Sequence, residues 1–239
     1  MHKRQLLFCL ILFASCRRDG CPLGAGSTAS ETRDLAPFSQ VILYDKINLV
    51  LTQDSTPGVQ VSAGKNLLPG IRTQVSNGVL TIRDNNTCIL PDPSEQATVS
   101  ISSDQLQKIS YYGAGDIHST NTLLAGQFMI DAWQGSGTIR MDLHASTVSA
   151  QVHNENATII LTGAADSAFV YCSEAGAADL SGLTSRAVRV YSTTIRDIYV
   201  DVSNVLYTGI AYKGNVYYKG FPSVIDTTNT GSGKLIYLP

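Results

Sequence analysis

The chain has 239 residues, enough for one or two domains, and 44% of them are hydrophobic. Its 17 basic and 19 acidic side chains leave a formal net charge of −2, and charged residues make up only 15% of the chain. Because nucleic-acid-binding proteins carry a basic patch or stripe, we expect no nucleic-acid partner. Glycine is frequent, at 20 residues, and no segment keeps an amphipathic helical period over three turns. We therefore expect a nearly all-β chain.

The first residues have the layout of a secretory signal. Lys3 and Arg4 precede a short apolar run that ends at Ala14, and this run is too short to cross a bilayer as a helix of about 20 residues. The run leads into Leu-Phe-Ala-Ser-Cys, which resembles a bacterial lipobox, although a phenylalanine stands where an aliphatic residue is usual. We therefore expect a signal peptide over residues 1–15 and a lipid on Cys16. Plain secretion with cleavage near Cys16 is the alternative.

The segment 16–37 is small and polar without periodicity, and it predicts a flexible tether. With Cys16 lipidated and Cys9 removed with the signal, the mature chain would carry 15 basic and 19 acidic side chains, a net charge of −4. The spacing of the remaining cysteines selects no disulfide pair, and we favour buried free thiols. These cysteines are Cys21, Cys88 and Cys172.

The ordered part is predicted to begin at Phe38. Apolar and polar residues alternate over 41–51 and again over 97–101, with the two-residue period of half-buried strands. Between them, the segment AGKNLLPGI (63–71) predicts a short helical or irregular turn. Ser-Asn-Gly at 76–78 predicts a hairpin.

The second half of the chain repeats a short phrase of small residues, one polar residue and one aliphatic residue. Clear copies are GAGDI (Gly113–Ile117) and GSGTI (Gly135–Ile139). A period of roughly twenty residues with strand-like content is the signature of a solenoid. The sequence therefore predicts a single-stranded β-helix, a right-handed parallel solenoid with coils of about 18–22 residues, over residues 38–239. The aliphatic residues that close the phrase are Ile117, Ile139, Ile159, Leu180, Ile198, Val216 and Leu235.

Stacking of the coils should place these aliphatic residues in one interior column, and the residues before them should face outward because side chains alternate. Asp116, Asp179 and Asp197 would then share one outer ladder with polar neighbours. Asp179 and Asp197 would lie in adjacent coils, close enough for a weak Ca²⁺ site. A solvated ladder without metal is the interpretation that we favour.

Aromatic residues are the best candidates for a binding surface. Tyr111 and Trp133 each lie six residues before the inward aliphatic residue, with His153 next in line, so we expect them to stack on neighbouring coils. An inward row would be a core ladder, which we favour, whereas an outward row would offer flat apolar faces to sugars. A second group of aromatic residues lies near the last coils. It would form either a binding surface or a cap over the end of the solenoid: Tyr207, Tyr212, Tyr217 and Tyr218. The last coil leaves backbone groups unpaired, so homo-oligomers through this open end are a further hypothesis.

The repeated phrase, the ordered amino-terminal segments and the lipobox together resemble the putative auto-transporter adhesin, head GIN domain family. That family is common in exported proteins of the Bacteroidetes. The resemblance covers about residues 38–237, and it implies a β-helical domain and an adhesin-like role. It brings no catalytic residues to this chain. The phrase departs from the pattern at 155–159 and 194–198, where the glycines are lost.

The sequence offers little for catalysis. No Ser/His/Asp order with a nucleophile elbow is present, and the glycine phrases are followed neither by a helix nor by Lys-Ser/Thr, as phosphate-binding loops require. We therefore expect no catalytic residue, no cofactor and no metal. The leading hypothesis is a non-enzymatic, lipid-anchored protein of the cell envelope, at either face of the outer membrane, that binds a glycan or an envelope or host protein. The alternatives are a β-helix carbohydrate-active enzyme of the polysaccharide lyase type and a structural periplasmic module.

Overall fold

The structure is a computed structural model that describes residues 24–86, 96–153 and 156–239. The chain is all-β, with 68% of it in strands, and parallel stacked coils form a β-solenoid of about 6 turns. This confirms the predicted fold class. The predicted signal peptide, Cys16, Cys21 and Cys88 lie outside the described residues. Within the described ranges, no helix is long and apolar enough to cross a membrane.

The strands in chain order are β1 (Thr28–Arg33), β2 (Gln40–Asp45), β3 (Asn48–Thr52), β4 (Gly58–Gly64), β5 (Ile71–Ser76), β6 (Val79–Asp84), β7 (Thr98–Ser102), β8 (Lys108–Gly113), β9 (Ile117–Ala132), β10 (Thr138–Val152), β11 (Thr158–Glu174), β12 (Ala177–Thr194), β13 (Ile198–Ile210), β14 (Val216–Lys219), β15 (Val224–Asn229) and β16 (Leu235–Tyr237). A 3₁₀ turn, Leu68–Gly70, occupies the predicted irregular segment.

The amino-terminal part builds its layers out of chain order. β2 pairs in parallel with both β6 and β8, and β3 pairs in parallel with both β7 and β9. Leu49 of β3 therefore stacks between Val99 and Ile117 in the interior. The β2–β3 layer comes first in the chain, yet it lies between the β6–β7 layer and the regular coils.

Antiparallel strands close the amino-terminal end of the solenoid. β5 pairs with β6, β4 pairs with β7, and β1 pairs with β4. Because β1 lies within residues 16–37, the ordered part begins earlier than the predicted Phe38, and this part of the predicted tether is paired strand. The hairpin between β5 and β6 turns at Asn77 and Gly78, whose φ angles are 51° and 75°. Two positive φ angles suit the Asn-Gly type I′ turn, so the hairpin predicted from Ser-Asn-Gly is confirmed.

The regular coils are held by one interior column of small and aliphatic side chains. Ile117 lies opposite Ile139, and Ile139 lies opposite Ile159. Ile159 then lies opposite Ala178, which in turn lies opposite Ile198. The column continues through Val216 to Leu235. Its members are buried except at the last coil, where Leu235 is only partly buried.

The predicted place of Leu180 in that column is wrong by two residues. Leu180 lies opposite Val200 and is buried in a neighbouring interior column. A shift of two residues keeps a side chain on the same face of a strand, so Leu180 still points inward. β12 also carries a bulge, since the pairing register changes between Ile160 and Thr162 of β11. The small-polar-aliphatic phrase thus occurs two residues late in this coil.

The polar residue of the phrase has a structural role in several coils. Asp116 Oδ1 accepts a hydrogen bond from the Thr138 backbone N–H at 2.8 Å, which links one coil to the next. Asp197 Oδ1 accepts from the Asn215 N–H at 2.9 Å in the same way. Each of these side chains satisfies a backbone donor at a corner, where the strand ladder is interrupted.

The predicted ladder of three aspartates is also wrong. Asp179 lies opposite Tyr199 rather than in the register of Asp116 and Asp197. Its carboxylate accepts hydrogen bonds from the N–H and the hydroxyl of Ser181, at 2.9 and 2.6 Å, within its own bulge. The part of the chain that the structure describes contains no group of three or more His, Cys, Asp or Glu that could hold a metal ion.

The carboxy-terminal end of the solenoid is open in the described chain. β15 pairs only with β13, and β16 pairs only with β14. All six residues of β15 are exposed, including Val224 and Ile225 at 45% each. This edge has the features that the oligomer hypothesis requires, and self-association remains a prediction.

Candidate functional site

Outward aromatic side chains gather on one lateral face of the solenoid, just before the corner of each coil. Trp133 and His153 stack in parallel, with ring centroids 3.9 Å apart and an interplanar angle of 8°. Tyr171 lies against the other side of His153, at 5.1 Å and 44°. Trp133 remains 40% exposed. Stacking orders these rings because adjacent coils are only about 4.8 Å apart.

The aromatic face extends toward the amino-terminal layers. Tyr44 of β2 and Tyr112 of β8 are opposite each other, and their rings stack with centroids 5.1 Å apart. The Arg83 guanidinium lies 3.6 Å from the centre of the Tyr44 ring, a cation–π contact. Burial raises the pKa of Tyr112, and the neighbouring Tyr44 and Asp131 add to this rise.

A depression of about 740 Å³ lies beside the Trp133–His153 pair. Ser173 and Thr193 follow His153 in the next two coils, and their short side chains leave space between this pair and Tyr212. Tyr212 is 44% exposed on the far side. The residues that line the depression are Trp133, His153, Tyr171, Ser173, Glu174, Ala175, Thr193, Ile195 and Tyr212.

Glu174 stands out at the edge of this depression because its backbone is left-handed, with φ = 53°. The other two non-glycine residues with positive φ in the described chain are an aspartate and an asparagine, Asp45 and Asn77. Asp and Asn tolerate this region, whereas a longer side chain costs roughly 1–2 kcal/mol there. The Glu174 side chain is exposed, and among the described residues its carboxylate has no hydrogen-bond or ion-pair partner.

The charges around the depression are largely balanced. Asp131 lies between two partners, with Lys108 Nζ 3.6 Å from Oδ2 and His153 Nε2 2.9 Å from Oδ1. The second contact also holds the imidazole in the orientation that stacks on Trp133. Lys213 Nζ lies 5.6 Å from the centre of the Tyr212 ring. Arg196 lies at the same edge, with its guanidinium 3.5 Å from the Ala175 carbonyl. The depression therefore presents aromatic rings, the unpaired Glu174 carboxylate and two cations, Lys213 and Arg196.

A second depression, of about 440 Å³, adjoins the first toward the carboxy-terminal end. Thr193 lines both. In the second depression Arg189 lies 5.2 Å from the centre of the Tyr207 ring, and Asp226 and the exposed Tyr191 are nearby. The two depressions together make this face a contiguous lateral groove.

The structure separates Tyr111 from the predicted row of aromatic residues. Tyr111 is fully buried, and its hydroxyl donates to the Gly115 carbonyl at 2.6 Å and accepts from the Gly137 N–H at 3.0 Å. Burial raises the pKa of Tyr111 to about 12. A Cβ on Gly135 would lie 2.2 Å from the Tyr111 ring, which explains the glycine at that corner.

The predicted row fails because the corners differ in length. Tyr111 lies opposite Ala132, while Ile117 lies opposite Ile139, so the second corner has one more residue. The residue six positions before Ile117 is Tyr111, whose side chain points inward, whereas the residue six positions before Ile139 is Trp133, whose side chain points outward. The core ladder that we favoured holds for Tyr111 and does not hold for Trp133 or His153.

The predicted carboxy-terminal tyrosines also separate. Only Tyr212 reaches the depression. Tyr217 stacks on Tyr199 at 5.0 Å and 11°, on the strands after the corner. Tyr218 packs partly buried against the core, with its ring 5.5 Å from that of Tyr237.

Six residues that were not predicted from the sequence also line the depression: Tyr171, Ser173, Glu174, Ala175, Thr193 and Ile195. Glu174 directly precedes the Ala-Gly pair of a repeat. A long acidic side chain at such a tight corner is unusual, and this feature could have marked Glu174 as a candidate site residue. Ile195 is 55% exposed, and nothing in its local pattern distinguishes it from an inward aliphatic residue.

Several solved structures from Bacteroidetes have the same fold. A putative adhesin from Bacteroides fragilis superimposes with a TM-score of 0.83 at 20% identity, covering 89% of this chain and 97% of that one. A putative adhesin from Parabacteroides distasonis gives 0.70 at 19% identity, covering 90% and 98%. A putative lipid binding protein from the same species gives 0.67 at 18% identity, covering 90% and 98%. At these identities the likeness shows the fold alone.

No curated protein sequence matches the chain. The family model described as putative auto-transporter adhesin, head GIN domain, matches residues 37–222. The match covers β2 to β14, including every residue of the depression, and it ends before β15. The chain therefore belongs to the putative auto-transporter adhesin, head GIN domain family.

Proposed function

We propose that this chain is a non-enzymatic, lipid-anchored protein of the cell envelope that holds a ligand on the aromatic face of its solenoid. The ligand is a glycan or an envelope or host protein. The observation that carries the proposal is the exposure of ordered apolar side chains around one depression. Trp133 is 40% exposed, Tyr212 44% and Ile195 55%.

Exposed clusters of large apolar side chains mark interaction sites, because single exposed residues are ordinary and contiguous patches are not. Trp and Tyr are also the residues most enriched at binding hot spots. Here the rings are held by stacking on neighbouring coils, so little conformational entropy is lost when a ligand binds. The adhesin-like role of the family agrees with such a surface.

The acidic residues that came nearest to a catalytic arrangement are already engaged in structure. Asp116 and Asp197 accept backbone N–H groups at corners, and Asp179 accepts from Ser181. Residues in such roles are poor candidates for acid–base chemistry, which needs a group free to exchange a proton with substrate. This use of the acids supports a binding role over the lyase alternative.

Lipid anchoring is a separate part of the proposal and rests on the lipobox that ends at Cys16. Metabolic labelling with a radioactive fatty acid in a host with lipoprotein processing should label the wild-type protein. The Cys16→Ser variant should carry no label and should leave the membrane fraction. Equal labelling of both proteins would refute the anchor.

The surface itself is tested with the purified protein and a panel of glycans, matrix proteins and isolated envelope components. The variants are Trp133→Ala and Tyr212→Ala in the depression. The matched control is Tyr217→Ala, which removes another stacked aromatic ring. Binding that both depression variants lose and the control keeps would support the proposal. Equal binding by all of them would exclude this face as the ligand surface.

A further inference from the structure

We infer that the depression bounded by Trp133, His153 and Tyr212 is a subsite for uncharged sugar residues, whose hydroxyl groups donate hydrogen bonds to the Glu174 carboxylate. The inference rests on the proposed function, since it names the ligand class for the same face. It assigns Glu174 a recognition role, whereas family membership points only to an adhesin-like protein.

The shape and lining suit a saccharide. Small-molecule sites combine apolar and aromatic walls with a few placed polar groups, and their volumes are roughly 300–1,000 Å³. This depression, about 740 Å³, has aromatic rings at its two ends and Ser173 and Thr193 between them. The two hydroxyls donate to the Val152 and Cys172 carbonyls, so they are left to accept from a ligand. A pyranose ring has apolar C–H faces and a polar rim, so one face can lie on Tyr212 while the rim faces these hydroxyls and Glu174.

The Glu174 backbone supplies an independent argument. A glutamate in the left-handed region is costly, and glycine would hold the same corner without that cost. Strained residues persist where the surrounding structure enforces them, and they concentrate at functional sites. The strain here keeps a carboxylate at the rim of the depression, and the described residues leave it unpartnered.

The charge balance selects an uncharged ligand. A polyanionic glycan would require a row of free basic side chains. Here Lys108 is paired with Asp131, Arg196 is held by Thr158 and the Ala175 carbonyl, and the remaining Lys213 is offset by Glu174, which would repel an anion. A compact quaternary ammonium ion would require several free ring faces that converge on one point. Trp133 and His153 stack on each other, so among the described residues Tyr212 is the ring of the depression that offers a face to a ligand. Sugar hydroxyls donate to a carboxylate without bringing charge, which leaves the neutral saccharide as the matching class.

The single tryptophan makes a direct assay available. The chain contains only one tryptophan, Trp133, so protein tryptophan fluorescence reports on this depression alone. The purified protein is titrated with neutral oligosaccharides built from glucose, mannose, galactose or N-acetylglucosamine, from disaccharides to hexasaccharides. Oligogalacturonate and choline serve as the charged probes.

We expect a saturable fluorescence change with at least one neutral series and none with either charged probe. Glu174→Gln keeps the side-chain shape and should lower affinity about tenfold, because it replaces a charge-assisted hydrogen bond with a neutral one. Tyr212→Ala should lower affinity about threefold to tenfold. Tyr217→Ala should bind like wild type. Circular dichroism spectra and unfolding midpoints of all variants confirm that they are folded.

The outcomes separate this inference from the function on which it rests. If no neutral series changes the fluorescence, or if oligogalacturonate or choline binds instead, the sugar subsite is refuted. If Glu174→Gln binds sugars as tightly as wild type, the role of the carboxylate is refuted. The protein could instead bind a protein ligand, lose that binding in Trp133→Ala and bind none of the sugars. This result would refute the sugar subsite and would still support the proposed function.

Discussion

Replacing Glu174 with glycine should stabilise the protein while weakening its ligand binding. The corner backbone at Glu174 has φ = 53°. Its carbonyl accepts from the Ile195 N–H at 2.8 Å and from the Thr194 hydroxyl at 3.1 Å. These bonds use backbone atoms of residue 174, so glycine keeps them. Only the steric cost of the side chain in the left-handed region is removed.

The expected gain follows from two opposing effects. Relief of the left-handed conformation is worth roughly 1–2 kcal/mol. Glycine also lowers the stability by about 0.5–1 kcal/mol, because it has more backbone freedom to lose when the chain folds. The net increase in the free energy of unfolding is therefore about 0–1.5 kcal/mol, with a central value of about 0.75 kcal/mol. For a chain of this size the central value corresponds to a rise in the unfolding midpoint of about 1.5–3 °C.

The assay is differential scanning calorimetry of wild type, Glu174→Gly and Glu174→Gln, in parallel with ligand titration. The glutamine variant keeps the left-handed strain, so its midpoint should equal that of wild type. A glycine variant that is less stable than both wild type and the glutamine variant would refute strain at this corner. The strained backbone of Glu174 would then no longer support a functional role for this residue.

Four further predictions concern the scaffold and its open carboxy-terminal edge. Tyr111→Phe leaves the Gly115 carbonyl and the Gly137 N–H without their hydrogen-bond partner. The free energy of unfolding measured in urea should therefore fall by about 2–4 kcal/mol. An unchanged urea midpoint would contradict a stabilising role for the Tyr111 hydroxyl. Because burial raises the pKa of Tyr111 to about 12 from its ordinary value of 10.0, the unfolded chain releases this proton first, and wild type should lose stability between pH 10 and about 12. Tyr111→Phe should lack this component, so identical losses in the two proteins would show that other groups cause it. Asp116→Ala removes the acceptor for the Thr138 N–H and should cost about 0.5–1.5 kcal/mol, whereas Asp116→Asn should cost less. Multi-angle light scattering over a range of concentrations should detect self-association through β15, and a Val224→Lys variant should stay monomeric; a monomeric wild type at high concentration would exclude it.

Local sequence was sufficient for the architecture because coil stacking imposes its own period. Small residues at each corner, an outward polar residue and an inward aliphatic residue recur about every twenty positions, so strand content and stacking follow from the repeat. Asn77 and Gly78 likewise specify their hairpin through local backbone preference. The family match agrees with this, since it spans the repeated coils.

The same repeat could not determine which aromatic residues face the solvent. A side chain changes face with every single residue, so one additional residue at a corner turns Trp133 outward while Tyr111 stays in the core. Corner length depends on what fills the corner, here the Tyr111 ring packed against the glycines of the next coil. That contact joins residues far apart in the chain, and it leaves no periodic trace in the sequence.

Sequence by itself thus determined the stacked coils of this protein, because strand alternation and corner residues act over a few neighbours. Only the tertiary structure decided the order of the amino-terminal layers, the register of β12 and the depression that joins Trp133, Glu174 and Tyr212. These features depend on how each coil settles on the one before it. A shift of one or two residues in corner length or strand register leaves the stacked coils intact, but it changes which side chains reach the surface.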